Sequence, residues 1–434
     1  MKSDGNLTKL ADVAELVRGV SYKPTDLEET ADDHVKLLRA TNIGARILTL
    51  TDVVLVPKRL VKEEQKMIKH DVVIAMSSGS RQAVGRLAQL REEWDGTFGA
   101  FCGVIRPKNE AINPIFLGYV LCSNEFRKHV DAFAEGTAIM NLTRDKLLAY
   151  QFHLPPIEKQ DIAARILGAL DEKIELNRKM NETLEKMARA IFKSWFVDFN
   201  PVHSKAAGRK PAAMDESISG LFPDSFIDSE LGKIPKGWEI STLGSTLDVL
   251  ETGRRPKGGV SSYTHGVPSI GAESINGLGV FDFSKTKYIP HEFYEGTTSG
   301  RVTHFDVLLY KDGGKPGEFK PRVGMFGHNF PFRTFCINEH VFRMRSSKLG
   351  QPFLYFLVSD QRVLTDFANK GGKAAIPGIN QPDVKSTLFV NPPTEIASTF
   401  DRIATLICNK VIMNSLENKT LADLRDTLLP KLLN

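Results

Sequence analysis

The sequence predicts two copies of one unit, each an α/β (α+β) domain followed by a long α-helix. Three observations predict this. A Pro-Pro pair recurs at 155 and 392, 237 residues apart. A helical apolar stripe follows each pair. Short β-like runs and Gly-rich turns precede each pair. A chain of 434 residues is also too long for one ordinary domain.

The repeat is closest in the two helices. Leu154-Pro155-Pro156-Ile157-Glu158 faces Asn391-Pro392-Pro393-Thr394-Glu395. At the same offset Ile166 meets Ile403, Lys173 meets Lys410, Asn177 meets Asn414, Asn181 meets Asn418 and Leu184 meets Leu421. The upstream halves match more loosely. Phe116-Leu117 faces Phe353-Leu354, and Asp71 to Ala75 resembles Asp306 to Tyr310. Leu10 to Pro24 resembles Leu243 to Pro256. The offset drifts in these regions, which implies insertions in loops.

Each helix is predicted to start after its Pro-Pro, because proline disfavours the α region before it and suits the first turn. Glu158 and Asp161 then complement the positive end of the helix dipole. Ile162, Ile166, Leu170, Ile174, Leu184, Met187 and Ile191 form a stripe at helical spacing, as do Ile403, Ile407, Val411, Leu421, Leu424 and Leu428. A helix from Ile157 to near Trp195 is about 60 Å long. No small domain needs such a helix for its own core, so the two are expected to pair as a coiled coil. Asn177 and Asn414 fall on or beside the stripe, where a buried amide would set the register.

The linear organisation follows. Residues 1–155 form the first domain and 156–200 the first helix. Residues 201–236 form a linker rich in Pro, Gly and charge. Residues 237–392 form the second domain, opened by Trp238, and 393–434 the second helix. Within the domains, 52–56, 72–76 and 307–310 read as strands, and 113–134 and 351–369 as helical runs.

Composition excludes several classes. A charged fraction of 25% and a hydrophobic fraction of 41% are those of an ordinary globular chain. No apolar run reaches the roughly 18 residues that a membrane span needs. The polar stretch Met1 to Leu10 has no signal-peptide core, which predicts a cytoplasmic protein. Cys102, Cys122, Cys336 and Cys408 show no metal-knuckle spacing and read as buried thiols. The net charge of +5 permits nucleic-acid binding without demanding it.

Two motifs could mislead. Asn391-Pro392-Pro393-Thr394 resembles the Asn-Pro-Pro-aromatic motif of amino-methyltransferases, but Thr394 replaces the aromatic ring. The repeat equivalent, Leu154-Pro155-Pro156-Ile157, has no Asn, so both read as helix starts. Lys311-Asp312-Gly313-Gly314-Lys315-Pro316-Gly317 lacks the Gly-Lys-Ser/Thr ending of a phosphate loop. No catalytic triad or metal-binding histidine pattern can be read from spacing.

The segment LPPIEKQDIAARILGALDEKIELNRKMNETLEKMARAIFKSWFVDFNP, residues 154–201, resembles the first conserved region of type I restriction–modification specificity subunits. Phe222 to Phe226, Ile234 to Trp238 and the ending Leu428 to Leu433 resemble that family's linker and terminus. The resemblance covers the whole architecture, but it is weak in the two domains. It implies two target-recognition domains, each reading half of a bipartite site in double-stranded DNA. It implies that the helices lie antiparallel as a spacer, with a pseudo-twofold internal repeat. It implies two methyltransferase subunits and motor-nuclease restriction subunits as partners, and no membrane. S-adenosylmethionine, ATP and Mg2+ would be used by those partners, with no cofactor, metal or catalytic residue in this chain.

Candidate DNA contacts are loop residues able to meet phosphate or base edges. In the first domain these are Arg18, Tyr22, Lys23, Arg39, Asn42, Ser78, Ser80, Arg81, Gln82, Arg86 and Thr137. In the second they are Arg254, Arg255, Lys257, Lys311, Lys315, Lys320, Gly372 and Lys373. Gly136-Thr137-Ala138 aligns with the Gly372 region, and each precedes an Asn, Asn141 or Asn380. Two other readings compete: a methyltransferase or endonuclease with an attached reader, and a coiled-coil scaffold that does not touch DNA. The missing cofactor loop counts against the first. DNA affinity of the assembled complex separates the second.

Overall fold

A computed structural model describes residues 6–27, 33–44, 46–80, 82–133, 140–315, 317–372 and 377–433. The chain forms two compact units. Unit 1 comprises Met1–Lys173 with Leu421–Asn434, and unit 2 comprises Ile174–Thr420. The boundaries fall inside the long helices, so each helix contributes to both units. This differs from a chain of domains and helices in series.

The repeat reappears as one topology built twice. In unit 1 a four-stranded antiparallel sheet has the order Ala14–Arg18, Cys102–Pro107, Val72–Ala75, Leu87–Gln89. In unit 2 the order is Val249–Thr252, Val341–Arg345, Val307–Tyr310, Val323–Met325. Val72 faces Ile105 as Val307 faces Met344, so the register is repeated as well. A three-stranded mixed sheet accompanies each. It is Val54–Pro57, His34–Leu38, Gly96–Phe98 in unit 1 and Lys287–Ile289, Val267–Ile270, Cys336–Ile337 in unit 2. A final pair ties each unit's first strand to the strand before its long helix: Asn6–Lys9 with Gln151–Leu154, and Glu239–Thr242 with Leu388–Asn391. Mostly antiparallel sheets with segregated helices make both units α+β.

One acid anchors each sheet. Asp71 accepts two bonds from Arg106, to Nε (2.8 Å) and Nη2 (2.7 Å). Asp306 is bonded by Arg343 Nε and Arg345 Nη1. Both carboxylates are fully buried, so a paired guanidinium is required. The helical runs each break in two: Pro114–Leu121 and Asn124–Phe133, and Gln351–Val358 and Gln361–Gly371. Ser123 Oγ, accepting from the Phe126 amide (3.1 Å), and Asp360, accepting from the Arg362 amide (3.1 Å), cap the second helix of each pair.

The long helices span Ile157–Phe196 and Thr394–Leu433, 40 residues each. The Pro-Pro pairs do start them: the Pro156 and Pro393 carbonyls accept the first amides. The buried face is shifted from the expected stripe. Ile162 and Ile166 are 46% and 40% exposed and Met187 is also exposed, whereas Ala163, Ala164, Leu167 and Ala188 are buried. In the second helix Ile396, Ala397, Phe400, Ala404 and Cys408 are buried and Leu424 is exposed. Small residues let each helix lie close against its domain, and several aliphatics of the expected stripe are left outside that contact.

The helices run in opposite directions within each unit. In unit 2 Asn177, fully buried, donates to Asn418 Oδ1 (2.9 Å) and Glu417 Oε2 (2.8 Å). Asn414, 1% exposed, donates to Asn181 Oδ1 (2.8 Å). Asn181 donates in turn to the Val411 carbonyl (3.2 Å). Farther along, Phe192 and Phe196 pack on Phe353 and Phe400. In unit 1 Leu167 packs with Leu429 and Tyr119.

The expected linker is largely folded onto unit 2. It contains the helices Asn200–Ala206 and Glu216–Gly220 and the hairpin Phe226–Ser229 with Gly232–Pro235. Val202, Phe222 and Ile234 are buried in the core that holds Trp195, Phe196 and Trp238.

In unit 1 both helices meet their domain at Asp171. It accepts from Arg91 Nη2 (2.6 Å), Tyr119 Oη (2.7 Å) and Arg425 Nη1 (2.6 Å). Burial alone would push its carboxyl up, but the two guanidinium groups and the phenol outweigh burial and hold it below the usual carboxylate range. A lowered folded-state value stabilises above the unfolded value and is lost as pH falls through the folded one. We expect Asp171→Asn to cost roughly 3 kcal/mol at neutral pH. That difference should shrink below about pH 4, where an unfolded carboxylate protonates. Unfolding free energies measured at both pH values check this, and a pH-independent difference would sink it.

Candidate nucleic-acid interface

Each unit gathers its candidate loops around one short segment at the end of the three-stranded sheet. In unit 1 it is Gly99-Ala100-Phe101. The Gly99 amide donates to the Leu38 carbonyl (2.9 Å), next to Arg39. The Ala100 amide donates to the Val20 carbonyl (2.9 Å), between Arg18 and Tyr22. The Met76 amide donates to the Phe101 carbonyl (2.8 Å), leading into Ser78 to Arg86. In unit 2 the equivalent segment is Asn338-Glu339-His340. The Gly253 amide donates to the Asn338 carbonyl (3.2 Å), and the Asn338 amide to that of Ile270 (3.0 Å). The Lys311 amide donates to the His340 carbonyl (3.0 Å). Glycine is needed at both crossings. A Cβ on Gly19 would lie 2.1 Å from the Gly99 carbonyl oxygen, and one on Gly253 would lie 1.6 Å from that of Ile337.

The first-unit candidates divide by what holds them. Arg18 and Lys23 are exposed. The Lys23 amide donates to Asp26 Oδ2 (2.7 Å), which starts a short turn. Tyr22 is half-buried against Val20, Leu37 and Val56. Arg39 lies 3.8 Å from Asp52. Ser80, Gln82 and Arg86 are exposed on one loop, which Arg86 Nε braces by donating to the Gln82 carbonyl (3.2 Å). Ser78 Oγ accepts from the Ser80 amide (3.2 Å). Asn42 is different: it is 2% exposed and its amide is used inside the loop. It accepts from the Arg39 amide (2.7 Å) and donates to the Thr49 and Asp52 carbonyls. It holds the loop's shape and presents nothing outward. Arg81, Thr137 and Lys373 lie outside the described residues.

In the second unit Arg254, Lys257 and Lys315 are exposed. Arg255 Nε lies 2.7 Å from Glu339 Oε1. Lys311 Nζ lies 3.1 Å from Asp312 Oδ2, and Lys320 Nζ lies 2.8 Å from Glu318 Oε1. The Gly313 amide donates to the Pro377 carbonyl (2.9 Å) and the Ile379 amide to the Lys311 carbonyl (2.8 Å), which join the 311–320 loop to the segment after Gly372. The two asparagines paired in the sequence comparison are not equivalent. Asn141 lies opposite Ser77 in a strand pair, whereas Asn380 caps the helix Gln381–Lys385. Thr143 is the cap equivalent to Asn380.

Sequence reasoning missed the two central segments because they carry no lysine or arginine. Phe101, 66% exposed, is the clearest omission. Its only signal is an aromatic residue set among small ones in Gly99-Ala100-Phe101-Cys102-Gly103. The cysteines are poor nucleophiles: burial pushes the Cys102 thiol up to about 12 and the Cys336 thiol up to about 11. Among the described residues, no group of three His, Cys, Asp or Glu side chains is placed to hold a metal ion. No helix among them is long and apolar enough to cross a membrane. Asn391 lies in the strand paired with Glu239, and the helix begins at Thr394.

Comparison with known proteins defines the class. Residues 3–186 match the family described as the type I restriction modification DNA specificity domain. The chain is similar to whole specificity subunits as well. It is 26% identical over 391 residues to the StySPI specificity subunit of Salmonella potsdam, covering 88% of this chain and 77% of that one. It is 28% identical to the HindI specificity subunit of Haemophilus influenzae, covering 76% and 79%. The EcoKI specificity subunit of Escherichia coli is 34% identical over 184 residues, 42% of this chain and 39% of that one. The crystal structure of a type I S subunit from M. genitalium shares the fold, with a TM-score of 0.54 at 14% identity over 100% of this chain and 97% of that one. The resemblance drawn from the helices and linker is thus borne out.

Asn42 separates loop structure from readout. Asn42→Ala should destabilise the protein by about 1–3 kcal/mol, because it strands a backbone amide and two carbonyls. It should leave the base sequence read by the chain unchanged. A changed sequence preference at wild-type stability would assign Asn42 to readout instead.

Proposed function

We propose that this chain is the DNA sequence-specificity subunit of a type I restriction–modification complex. It has no catalytic role of its own. Unit 1 and unit 2 each read one half of a bipartite, asymmetric site, and the paired helices act as an antiparallel coiled-coil spacer between them. The observation that carries this reading is the repeat of topology and register in two units whose central loops differ, in a chain similar to such subunits over most of its length. A duplicated reader on a fixed spacer contacts two short sequences at a set distance, as the geometry of a dimer does for repressors. Duplication within one chain frees the halves to read different bases.

Two methyltransferase subunits and restriction motor-nuclease subunits are the partners in this reading. They would use S-adenosylmethionine, ATP and Mg2+, in the cytoplasm. Methylome sequencing of a host carrying the complex, with and without this chain, tests the proposal. The expected result is a two-part motif with a fixed gap that disappears without the chain. A single continuous motif, or labelled methyl transfer by the purified chain alone, would overturn it.

The spacer has its own test. Seven residues inserted after Ile174 and seven after Thr420 add about two turns, or roughly 10 Å, to each helix. The same face of each helix is then kept. The gap should widen, by at most about three base pairs, with both half-sites unchanged. An unaltered gap in the methylated motif would remove the helices as the ruler.

A further inference from the structure

The central segments of the two units share a backbone but not a chemistry. In unit 1 the segment offers Ala100 and Phe101, and the Tyr22 ring approaches Gly99. In unit 2 the same positions are Glu339 and His340, and Arg255 takes the place beside them. The close crossing at Gly253 brings them together, since its amide bonds to Asn338 and leaves no room for a side chain.

Arg255 is held in a particular way. Its Nε lies 2.7 Å from Glu339 Oε1, an ion pair without hydrogen-bond geometry. The Glu339 carboxylate is itself enclosed, with His340 Nε2 3.3 Å from its Oε1. His340 is fixed from its other side, with Nδ1 2.5 Å from Asp312 Oδ1. Asp312 is anchored by Lys311 and by its bridge to Gly378. A chain of contacts therefore runs from the 311–320 loop through His340 and Glu339 to Arg255.

The Arg255 guanidinium still carries its Nη1/Nη2 fork, two N–H donors in a fixed planar geometry. Arg255 is 57% exposed, so the fork is open to solvent. That fork matches O6 and N7 of guanine in the major groove, the commonest specific contact to a base. A free surface arginine loses rotamer entropy on reaching a base, and one already drawn to a carboxylate has less to lose. Arg254 and Lys257, exposed on either side, suit the flanking phosphates.

We propose that Arg255, oriented by Glu339, reads a guanine in the half-site of unit 2. This rests on the DNA-reading function proposed above. Arg255 touches the base, whereas Glu339 and His340 are positioning residues. Unit 1 has no counterpart of this pair, so only one half-site depends on it.

The test uses the assembled complex in a host and compares Arg255→Lys, Arg255→Ala and Glu339→Gln by methylome sequencing. Lysine keeps the charge but lacks the fork, so Arg255→Lys should relax one guanine position in one half-site. Discrimination there should fall by roughly 5- to 150-fold, with the other half-site and the gap unchanged. Glu339→Gln should relax the same position less. If wild-type protein produces no chain-dependent bipartite motif, the proposed function fails. If it does and Arg255→Lys leaves every position as specific as before, this inference alone fails. A weakening equal for all DNA sequences, with the salt dependence of binding reduced by about one ion, marks a phosphate contact and also overturns it. Arg255→Lys, a conservative change at an exposed position, separates these outcomes from misfolding.

Discussion

Two asparagine pairs, each with one buried member, determine where the long helices meet. Asn177 bonds to Asn418, and Asn414 bonds to Asn181. These are the same contact made twice, since Asn177 matches Asn414 and Asn181 matches Asn418 in the repeat. A buried amide without a partner costs roughly 1–3 kcal/mol. A slip of one residue would strand both pairs at once. An all-leucine seam would tolerate such slips, so here stability is traded for register. The seam is therefore a positioning element before it is a source of stability.

The contacts that hold each domain to the helices solve one problem by two chemistries. Unit 1 uses charge: Arg91 and Tyr119 of the domain and Arg425 of the second helix converge on Asp171 of the first. Unit 2 adds aromatic packing, with Phe353 and Phe356 of the domain against Phe192 and Phe400 of the two helices, beside Glu185 and Arg189 of the first helix, which bond to Tyr355. Cys408 stands in unit 2 where Asp171 stands in unit 1, and burial raises its thiol. A buried ion cluster needs every partner in place. An aromatic cluster tolerates small shifts.

How much could be read from sequence follows from these contacts. The helices were legible because 40 residues at a gapless offset carry both period and position. Their buried face was not, because each helix packs on a domain as well as on its partner. Hydrophobicity marks Ile162 and Ile166, while the close contact with the domain selects Ala163 and Ala164. The linker misled because its aliphatic content is low, yet a few apolar residues, Val202, Phe222 and Ile234 among them, tie it to the Trp238 core. Loop charges were legible as a set only. Nothing in the sequence says that Asn42 is spent inside its own loop or that Arg255 meets a glutamate 84 positions away, at 339.

The central segments explain why one fold can serve two readers. Their backbones are fixed by sheet ends and by two glycines at the crossings, so the framework cannot drift. Most of their side chains project from that framework: Phe101 is exposed and His340 half-exposed, while the Glu339 carboxylate is enclosed beside Arg255. Substitution at the exposed ones, such as Ala100 and Phe101, costs little stability, because surface changes away from packed features usually shift it by less than about 0.5 kcal/mol. The same substitution changes which base edges can be met. Divergence is then expected where it is cheapest to fold and most consequential to read. Ala100 and Phe101 against Glu339 and His340 are that divergence at equivalent positions of one repeat.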